Sequence, residues 1–311
     1  MGKILILDCY GDDWTDRKLS KIENVDVAAV YHQVCLPLRV IRRLHFYSPL
    51  SKKSIWYGSW KQDLYRYDCI IVMTSLLEAG LFSWIRGQGY RGKLIFYYRD
   101  SQSMPWIRNG CKATAIRATG VDVDLWTFDQ NDAREFGIKY NPQFFFDDVD
   151  TSECAEEYDA VYIGSVHKRL DEIYSIWNVL NDKGFKLHFL LRTEKQLVKE
   201  KIEGIKYTYR GIGYDDILAI NRRSRCIIEI MNKGQHGLTL RALEALFQKR
   251  KLITDNLAIK QYDFYNPNNI FIWGYDDVRR VKEWMLIPFQ EISQDITDKY
   301  TAESWLKRFL Q

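Results

Sequence analysis

Short apolar runs alternate with helical patterns along the chain, and this alternation constrains the fold more than any other feature. In the first half the predicted strands are residues 3–7, 25–30, 69–74, 93–98 and 125–128. Strands separated by helix-length segments run parallel, because each crossover returns the chain to the same edge of the sheet. The sequence therefore predicts an α/β domain built on a parallel sheet.

The same pattern restarts after an acidic, turn-rich passage at residues 140–157, which we interpret as an interdomain linker. Predicted strands and helices of the second half are strands 158–165, 186–191, 226–230 and 251–254 and helices 169–180 and 214–221. Two further predicted helices, 276–284 and 302–310, lie outside the alternation. A chain of 311 residues that is 46% hydrophobic can bury two such cores.

The composition and charge of the chain argue against a nucleic-acid-binding, secreted or membrane-spanning protein. The net charge of +4 comes from nearly balanced acids and bases, and the sequence contains no helix-turn-helix, zinc-finger or RRM pattern, so no nucleic-acid partner is expected. The six cysteines form no C-x-x-C pair and several lie in apolar runs, as expected for reduced core thiols of a cytoplasmic protein. The apolar stretch at residues 4–7 is too short for a signal peptide or a membrane span. We expect a cytoplasmic protein that is at most peripheral on the inner face of the membrane.

The segment 235–245 carries the strongest chemical signal, because a glycine turn there opens a helix between two predicted strands. The N-terminus of such a helix points unpaired N–H groups at the carboxyl edge of the sheet, where phosphates of a nucleotide bind. Gly237 permits close backbone approach, Thr239 offers a hydroxyl, Arg241 a cation and Glu244 an acceptor for ribose hydroxyls. The alternative is a turn without a ligand, which is common in α/β proteins.

Two other predicted strand ends carry candidate groups. Gly164 and Ser165 end strand 158–165 and offer a backbone N–H and a hydroxyl to phosphates, and Arg192 follows strand 186–191 with a cation. The alternatives are an ordinary turn glycine and an exposed arginine at a strand end.

The segment 235–244, followed by Lys251-Leu252-Ile253-Thr254 and residues 262–270, resembles the carboxyl-terminal donor domain of bacterial GT-B glycosyltransferases. The likeness is to lipopolysaccharide-core and capsule glycosyltransferases and the CgeB-like group. It is specific over residues 158–273, and segments 97–101 and 126–129 resemble strand ends of the same group.

This resemblance implies two Rossmann-like domains with parallel sheets. Residues 1–150 would form the acceptor-side domain, 151–285 the nucleotide-sugar donor domain, and 286–311 a helix returning to the first domain. The implied activity is transfer of a sugar from a nucleotide diphosphate sugar to a saccharide or lipid-linked acceptor in bacterial surface-polysaccharide biosynthesis. A sugar-nucleotide epimerase on the same framework and a non-catalytic nucleotide-sugar-binding protein remain alternatives.

By the same resemblance the donor site would combine the residues named above with others of the same loops. The full implied set is Gly164, Ser165, Arg192, Arg210, Ile212, Gln235, His236, Gly237, Leu238, Thr239, Arg241 and Glu244. Many retaining GT-B enzymes carry two glutamates eight residues apart; Glu244 matches the second, whereas His236 occupies the first position. The stereochemistry of transfer therefore stays open.

Transfer to a hydroxyl with inversion requires a general base, and the first half offers three candidates. Asp13, in the Gly11-Asp12-Asp13 turn, and Asp100 are the leading candidates, and His32 is the third. The alternative for both aspartates is helix capping, and for His32 a local hydrogen bond. No metal or other cofactor is expected, because the acidic run at 147–150 lies in the predicted linker and cationic groups can replace a metal at a diphosphate.

A basic stretch without acids extends from residue 27 to residue 62. Within it, residues 36–61 interleave arginines and lysines with leucines and aromatic residues. This composition predicts contact with an anionic membrane surface or a lipid-linked acceptor. The alternative is a helix packed on the sheet with a solvated cationic edge.

Overall fold

The protein is described by a computed structural model that covers residues 2–8, 13–50, 52–73, 80–102, 104, 107, 109–152, 154–166, 169–193, 201–232 and 234–311. The chain divides into two compact units, each with its own sheet. The first unit comprises Met1–Pro142 and Leu306–Gln311, and the second comprises Gln143–Trp305. The assignment of acceptor and donor roles to two domains stays a prediction.

The first unit contains a six-stranded parallel sheet in the order β2-β1-β3-β4-β5-β6. Its strands are β1 (Ile4–Asp8), β2 (Val25–Ala29), β3 (Cys69–Val72), β4 (Lys93–Tyr98), β5 (Asp124–Thr127) and β6 (Lys139–Tyr140). The central strands are buried over their whole length, which explains their continuous apolar sequences. The chain order reverses between β1 and β3, which is the switch point of this sheet.

The helices α1 to α5 connect these strands. They are α1 (Trp14–Leu19), α2 (Leu36–Tyr47), α3 (Leu81–Gly87), α4 (Ala113–Ala118) and α5 (Gln130–Phe136). Helix α5 begins at Asp129, whose side chain accepts two backbone N–H bonds of the first turn, and ends at Gly137 in the left-handed conformation. Helix α2 differs from α1, α3, α4 and α5, because none of its residues is buried.

The second unit repeats the architecture with the strand order β12-β11-β10-β7-β8-β9, again with parallel pairing. Its strands are β7 (Tyr158–Ser165), β8 (Leu187–Arg192), β9 (Ile205–Thr208), β10 (Ser224–Glu229), β11 (Lys251–Thr254) and β12 (Ile270–Ile272). Here the chain order reverses between β7 and β10. The predicted parallel α/β class is confirmed in both units.

The remaining helices follow in the second half of the chain. They are α6 (Leu170–Asp182), α7 (Tyr214–Arg222), α8 (Leu240–Phe247), α9 (Val281–Leu286), α10 (Gln294–Thr297) and α11 (Ala302–Leu310). From Leu306 onward α11 belongs to the first unit. There the fully buried Phe309 ring meets Tyr97 and Trp126 edge-on, at centroid distances of 5.7 and 5.1 Å.

The structure corrects one predicted helix. Instead of one helix over 276–284, it has a 3₁₀ turn at Val278–Arg280 followed by the shorter α9. The Asp276 carboxylate accepts the Ile272 N–H at 2.6 Å, and Asp277 caps the turn by accepting the Arg279 N–H. These local side-chain bonds hold the segment in turns where the sequence suggested a continuous helix.

The cysteines only partly match their predicted role. Cys69, Cys111 and Cys226 are buried, Cys154 is half-buried, and Cys9 lies outside the described residues. Cys35 is exposed at the start of α2, so the expectation of a core thiol is wrong there.

None of the described helices combines the length and the apolarity that crossing a membrane requires.

Candidate functional site

A polar cavity of about 330 Å³ lies in the second unit, beside the ends of three adjacent strands. Its lining comes from segments that follow β7, β10 and β11. The lining residues are Arg169, Glu172, Ile230, Met231, Asn232, Gly234, Gln235, His236, Asp255, Asn256, Leu257 and Ala258. Because β7 and β10 flank the switch point, the cavity lies where open α/β sheets bind ligands. Its volume is at the lower end of the roughly 300 to 1,000 Å³ that is typical of small-molecule pockets.

Arg169 fixes one wall of the cavity. Its guanidinium donates to the carbonyls of Ser165, at 2.8 Å, and Ile230, so it joins the ends of β7 and β10. Among the described residues, its Nε is buried without a hydrogen-bond partner. A guanidinium that lines the cavity can bind an anionic ligand.

Carboxylate and amide groups line the rest of the cavity. Asp255 follows β11 directly and accepts the Met231 N–H at 2.8 Å. Burial raises the pKa of Asp255. Asn232 donates to Gln235 at 3.2 Å, which orders the turn that carries both side chains. These groups offer donors and acceptors suited to sugar and base hydroxyl or amide groups.

Thr239 begins helix α8 and uses its hydroxyl fully in doing so. The Oγ1 atom accepts the N–H groups of Arg241 and Ala242, at 3.1 and 3.4 Å, and donates to Glu229 at the end of β10. Glu229 also accepts the Thr254 hydroxyl at 2.5 Å, and burial raises its pKa. Thr239 is therefore a cap that ties α8 to β10, a local function that the capping preference of threonine explains.

Arg241 and Glu244 form one interlocked network behind the turn. Arg241 pairs with Glu244 and donates to the Ile163 carbonyl of β7 at 2.8 Å. Glu244 also accepts the Tyr214 hydroxyl at 2.5 Å and the Asn221 amide at 2.7 Å. At 1% exposure, the Glu244 carboxylate is reachable by a ribose only after this network rearranges. The predicted phosphate and ribose contacts of the pair stay predictions.

The other predicted donor residues fall into two places. Gln235 and His236 line the cavity, while Gly237 and Leu238 are buried just after them. Ser165 pairs in register with Arg192, and Arg192 pairs in register with Thr208 on β9.

The strand edge beyond β8 lies apart from the cavity lining. Arg192 and Arg210 are exposed there, Ile212 is half-buried, and all three lie outside the lining residues, as does Gly164. The structure thus brings only Gln235 and His236 of the predicted set into the cavity, and Arg169, Glu172, Asn232, Asp255 and Asn256 were missed. The position of Asp255 directly after a predicted strand was the signal that could have found it.

In the first unit, Asp13 is one of three carboxylates gathered beside the switch point. Asp13 caps α1 by accepting the Asp16 N–H at 2.8 Å, and Asp16 accepts the Asp13 N–H in return at 3.3 Å. Oxygens of Asp8, Asp13 and Asp16 lie within 4.8 Å of one another, and Arg99 donates to Asp8 at 2.6 Å. The sequence singled out Asp13 alone, and Gly11 and Asp12 lie outside the described residues.

Asp16 is the most perturbed member of this acid cluster. It is 1% exposed, and among the described residues its Oδ1 has no hydrogen-bond partner. Burial, with Asp8 and Asp13 adding to it, raises the pKa of Asp16 to about 7. The cluster can therefore hold a proton near neutral pH, and its oxygen spacing also suits a cation.

The other two predicted bases have different surroundings. Asp100 is half-buried after β4, and the neighbouring Ser101 hydroxyl donates to Asp132 at 2.9 Å. His32 is exposed, with Nδ1 at 3.4 Å from the Tyr57 carbonyl oxygen. The roles of Asp100 and His32 as general bases stay predictions.

Comparison with known proteins gives similarity in fold only. No protein-family profile matches the sequence, and no curated protein matches it either. A UDP-forming trehalose-phosphate synthase from Burkholderia xenovorans, solved with glucose-6-phosphate, superposes with a TM-score of 0.62 at 9% identity over 99% of both chains. The chain has the GT-B fold.

Two other GT-B structures extend the comparison. HepE from Anabaena, solved with UDP, gives a TM-score of 0.55 at 10% identity over 99% of this chain and 98% of that one. BGT of phage T4, solved with UDP and Mn²⁺, gives 0.51 at 14% identity with the same coverage. At these identities the GT-B likeness establishes architecture, while activity rests on the site itself.

Proposed function

We propose that this protein is a glycosyltransferase that moves a sugar from a nucleotide diphosphate sugar to a saccharide or lipid-linked acceptor in surface-polysaccharide synthesis. The observation that carries the proposal is the polar cavity at the switch point of the second sheet, lined by Arg169, Gln235 and His236. GT-B neighbours solved with UDP support uridine diphosphate as the donor nucleotide. The surface-polysaccharide role rests on the sequence resemblance.

The second unit would bind the donor. Arg169 would meet the diphosphate with its guanidinium, while Asp255 and the amides of the lining would bind hydroxyl groups of the sugar or ribose. A cation close to the leaving diphosphate stabilises the charge that develops as the anomeric carbon–oxygen bond breaks. Arg241 would contribute to the same field from the first turn of α8.

A carboxylate of the first unit would accept the proton of the acceptor hydroxyl. In this step the acceptor oxygen bonds to the anomeric carbon, the bond to the nucleotide diphosphate breaks, and the hydroxyl proton passes to the carboxylate. Asp13 and Asp100 are the proposed bases, and the acid cluster supports the first of them, because Asp16 beside it can hold a proton near neutral pH.

The donor site is tested by thermal shifts with UDP, GDP, dTDP, CMP and ADP. Selective stabilisation by UDP is expected, since a ligand at a hundred times its Kd adds about 2.7 kcal/mol to the folded state. Gln235→Ala and His236→Ala should each reduce the shift. Asn178→Ala, an exposed amide two turns into α6, is the matched control and should not. Equal shifts in all three variants would move the donor site out of this cavity.

The transfer itself is tested by UDP release from UDP-sugars with and without a panel of saccharide acceptors. Release that depends on an acceptor is expected, and it should persist in EDTA because the proposal is metal-independent. Asp13→Asn or Asp100→Asn should lower turnover by about 10²- to 10⁴-fold with donor binding intact. Full activity in both variants would direct the search for a base to His32.

A second candidate function is nucleotide-sugar binding without catalysis. The observation that favours it is the exposed His236, where the resemblance places a glutamate in many retaining enzymes. Donor binding without turnover across the acceptor panel would support it. Interconversion of donor sugars without an acceptor would instead support an epimerase.

A further inference from the structure

Helix α2 presents its polar face to the body of the first unit. Arg42 donates to a backbone carbonyl at 3.0 Å and lies 5.2 Å from the centre of the Tyr31 ring. One turn further on, the His45 Nδ1 accepts the Trp56 indole N–H at 2.9 Å, and Phe46 packs on Tyr31 at a centroid distance of 5.0 Å. Residues i, i+3 and i+4 share one helix face, so this inward face is made of Arg42, His45 and Phe46.

The opposite face of α2 is apolar and exposed. Leu36, Val40 and Leu44 follow one another at four-residue intervals, and Tyr47 lies one turn beyond Leu44. Their exposures are 73, 59, 65 and 68% in that order. Val40 lies two residues from Arg42, which is roughly 200° around the helix. We call Leu36, Val40, Leu44 and Tyr47 the apolar stripe.

This orientation is the reverse of that of an ordinary surface helix, which turns its apolar stripe to the core and its charges to water. The alternative raised by the sequence, a helix packed on the sheet with a solvated cationic edge, accounts for Phe46, which packs against the core, but not for the apolar stripe, which is exposed. Isolated exposed apolar residues are common, but a continuous stripe beside Ile41 and Leu50, also exposed, marks a contact surface.

The charges around the apolar stripe indicate what kind of surface could bind it. From residue 27 to residue 62 the sequence contains no aspartate or glutamate, and its cations are Arg39, Arg42, Arg43, Lys52, Lys53 and Lys61. Arg39 and Arg43 are exposed on α2 itself. An apolar stripe bordered by cations complements a surface that is apolar beneath and anionic above, which is the arrangement of acyl chains under acidic lipid headgroups.

We propose that α2 docks this protein on an anionic lipid bilayer, with the apolar stripe among the upper acyl chains and Arg39 and Arg43 at the headgroups. A second copy of the chain is a poorer occupant, because apposing two stripes would bring like charges together. The surface lies outside the proposed donor cavity, so the inference goes beyond the proposed function and does not depend on it.

The test is co-sedimentation of the full chain with vesicles of phosphatidylcholine alone and with about 30% phosphatidylglycerol. Binding to the acidic vesicles is expected, with at least about a tenfold higher partition coefficient than to neutral ones, and raising NaCl from about 0.1 to about 0.5 M should weaken it. Wild-type protein that ignores the acidic vesicles overturns the proposal.

Two variants separate the apolar and electrostatic parts. Val40→Ser with Leu44→Ser should lower the partition coefficient about tenfold or more, while Leu286→Ser, an equally exposed leucine of the second unit, should leave it unchanged. Arg43→Glu keeps the stripe and should reduce the preference for acidic over neutral vesicles. Unchanged thermal midpoints and UDP shifts would show that folding and the donor site are intact.

Self-association provides the opposing outcome. Without lipid, sedimentation velocity should show the wild type and the Val40→Ser with Leu44→Ser variant in the same association state. A wild-type dimer that the variant does not form, together with absent or equal vesicle binding in wild type and variant, would assign the stripe to a second copy and overturn the lipid proposal.

Discussion

Two groups of buried carboxylates, one in each unit, differ in how their oxygens are satisfied. In the second unit, Glu244 receives hydrogen bonds from Tyr214, Asn221 and Arg241, and Glu229 receives two threonine hydroxyls. In the first unit, Asp8, Asp13 and Asp16 crowd together, and Asp16 keeps an oxygen without a hydrogen-bond partner among the described residues. One arrangement fixes charges in place, whereas the other leaves a carboxyl ready to exchange a proton.

Electrostatic repulsion between carboxylates therefore destabilises the first unit at the end of β1 and the start of α1. A satisfied buried network resists perturbation because each partner depends on the others. Crowded carboxylates reduce stability once they ionise, and such local costs persist most often where a function requires them. Four substitutions test the contrast between these two groups of carboxylates.

Loss of Glu244 should have the largest effect. Glu244→Ala leaves the Arg241 charge and the Asn221 amide buried without their acceptor, so the free energy of unfolding should fall by about 3 to 5 kcal/mol. Urea denaturation measures this, with the exposed Glu203→Ala as control. A loss below about 1 kcal/mol would mean that the network is not interlocked.

Replacing Asp16 should stabilise the protein. Its folded-state pKa of about 7 exceeds the unfolded value, so its stabilising contribution is complete below about pH 4 and is lost as the pH rises through 7. Asp16→Asn should therefore be about 2 to 4 kcal/mol more stable relative to wild type at pH 8 than at pH 4. Denaturation in EDTA across this range measures it. A pH-independent difference would show that Asp16 ionises normally.

Thr239→Ala should have a smaller effect than either. It removes the cap of α8 and one of the hydroxyls on Glu229, at a cost of about 1 to 2 kcal/mol in the free energy of unfolding. Thr239→Ser keeps the hydroxyl and should stay within about 0.5 kcal/mol of wild type by the same denaturation. Equal losses in the two variants would attribute the effect to the methyl group.

Asp13→Asn should change stability least. Asparagine caps helices about as well as aspartate, so the free energy of unfolding should shift by less than about 0.5 kcal/mol at pH 4. Removing a neighbouring negative charge should lower the pKa of Asp16, which NMR titration of the Asp16 carboxyl would record. An unchanged titration of Asp16 would show that the Asp13 charge does not affect the Asp16 pKa.

Much of the fold followed from the sequence. Strands β4, β7 and β11 were predicted with the bounds they have, because each is a continuous apolar run buried in a parallel sheet. Three edge strands, β6, β9 and β12, were missed, since they are two to four residues long and owe their conformation to the neighbouring strand.

The site was less predictable because it depends on residues far apart in the chain. Gln235 and His236 were found from a local turn signature, whereas Arg169 reaches the cavity only through bonds to two different strand ends. Similarly, Asp8 and Arg99 are 91 positions apart and meet only after β1 and β4 have entered the same sheet. The spacing of apolar residues predicts local helices and strands, but it does not predict which distant residues come into contact.

The placement of α11 has a consequence for biosynthesis. Residues 306–311 belong to the first unit, where Phe309 packs against Tyr97 and Trp126, yet they are translated after the whole second unit. A nascent chain of about half this length therefore carries the first sheet without the aromatic plug that covers it. The first unit can therefore be completed only after the second unit has been translated.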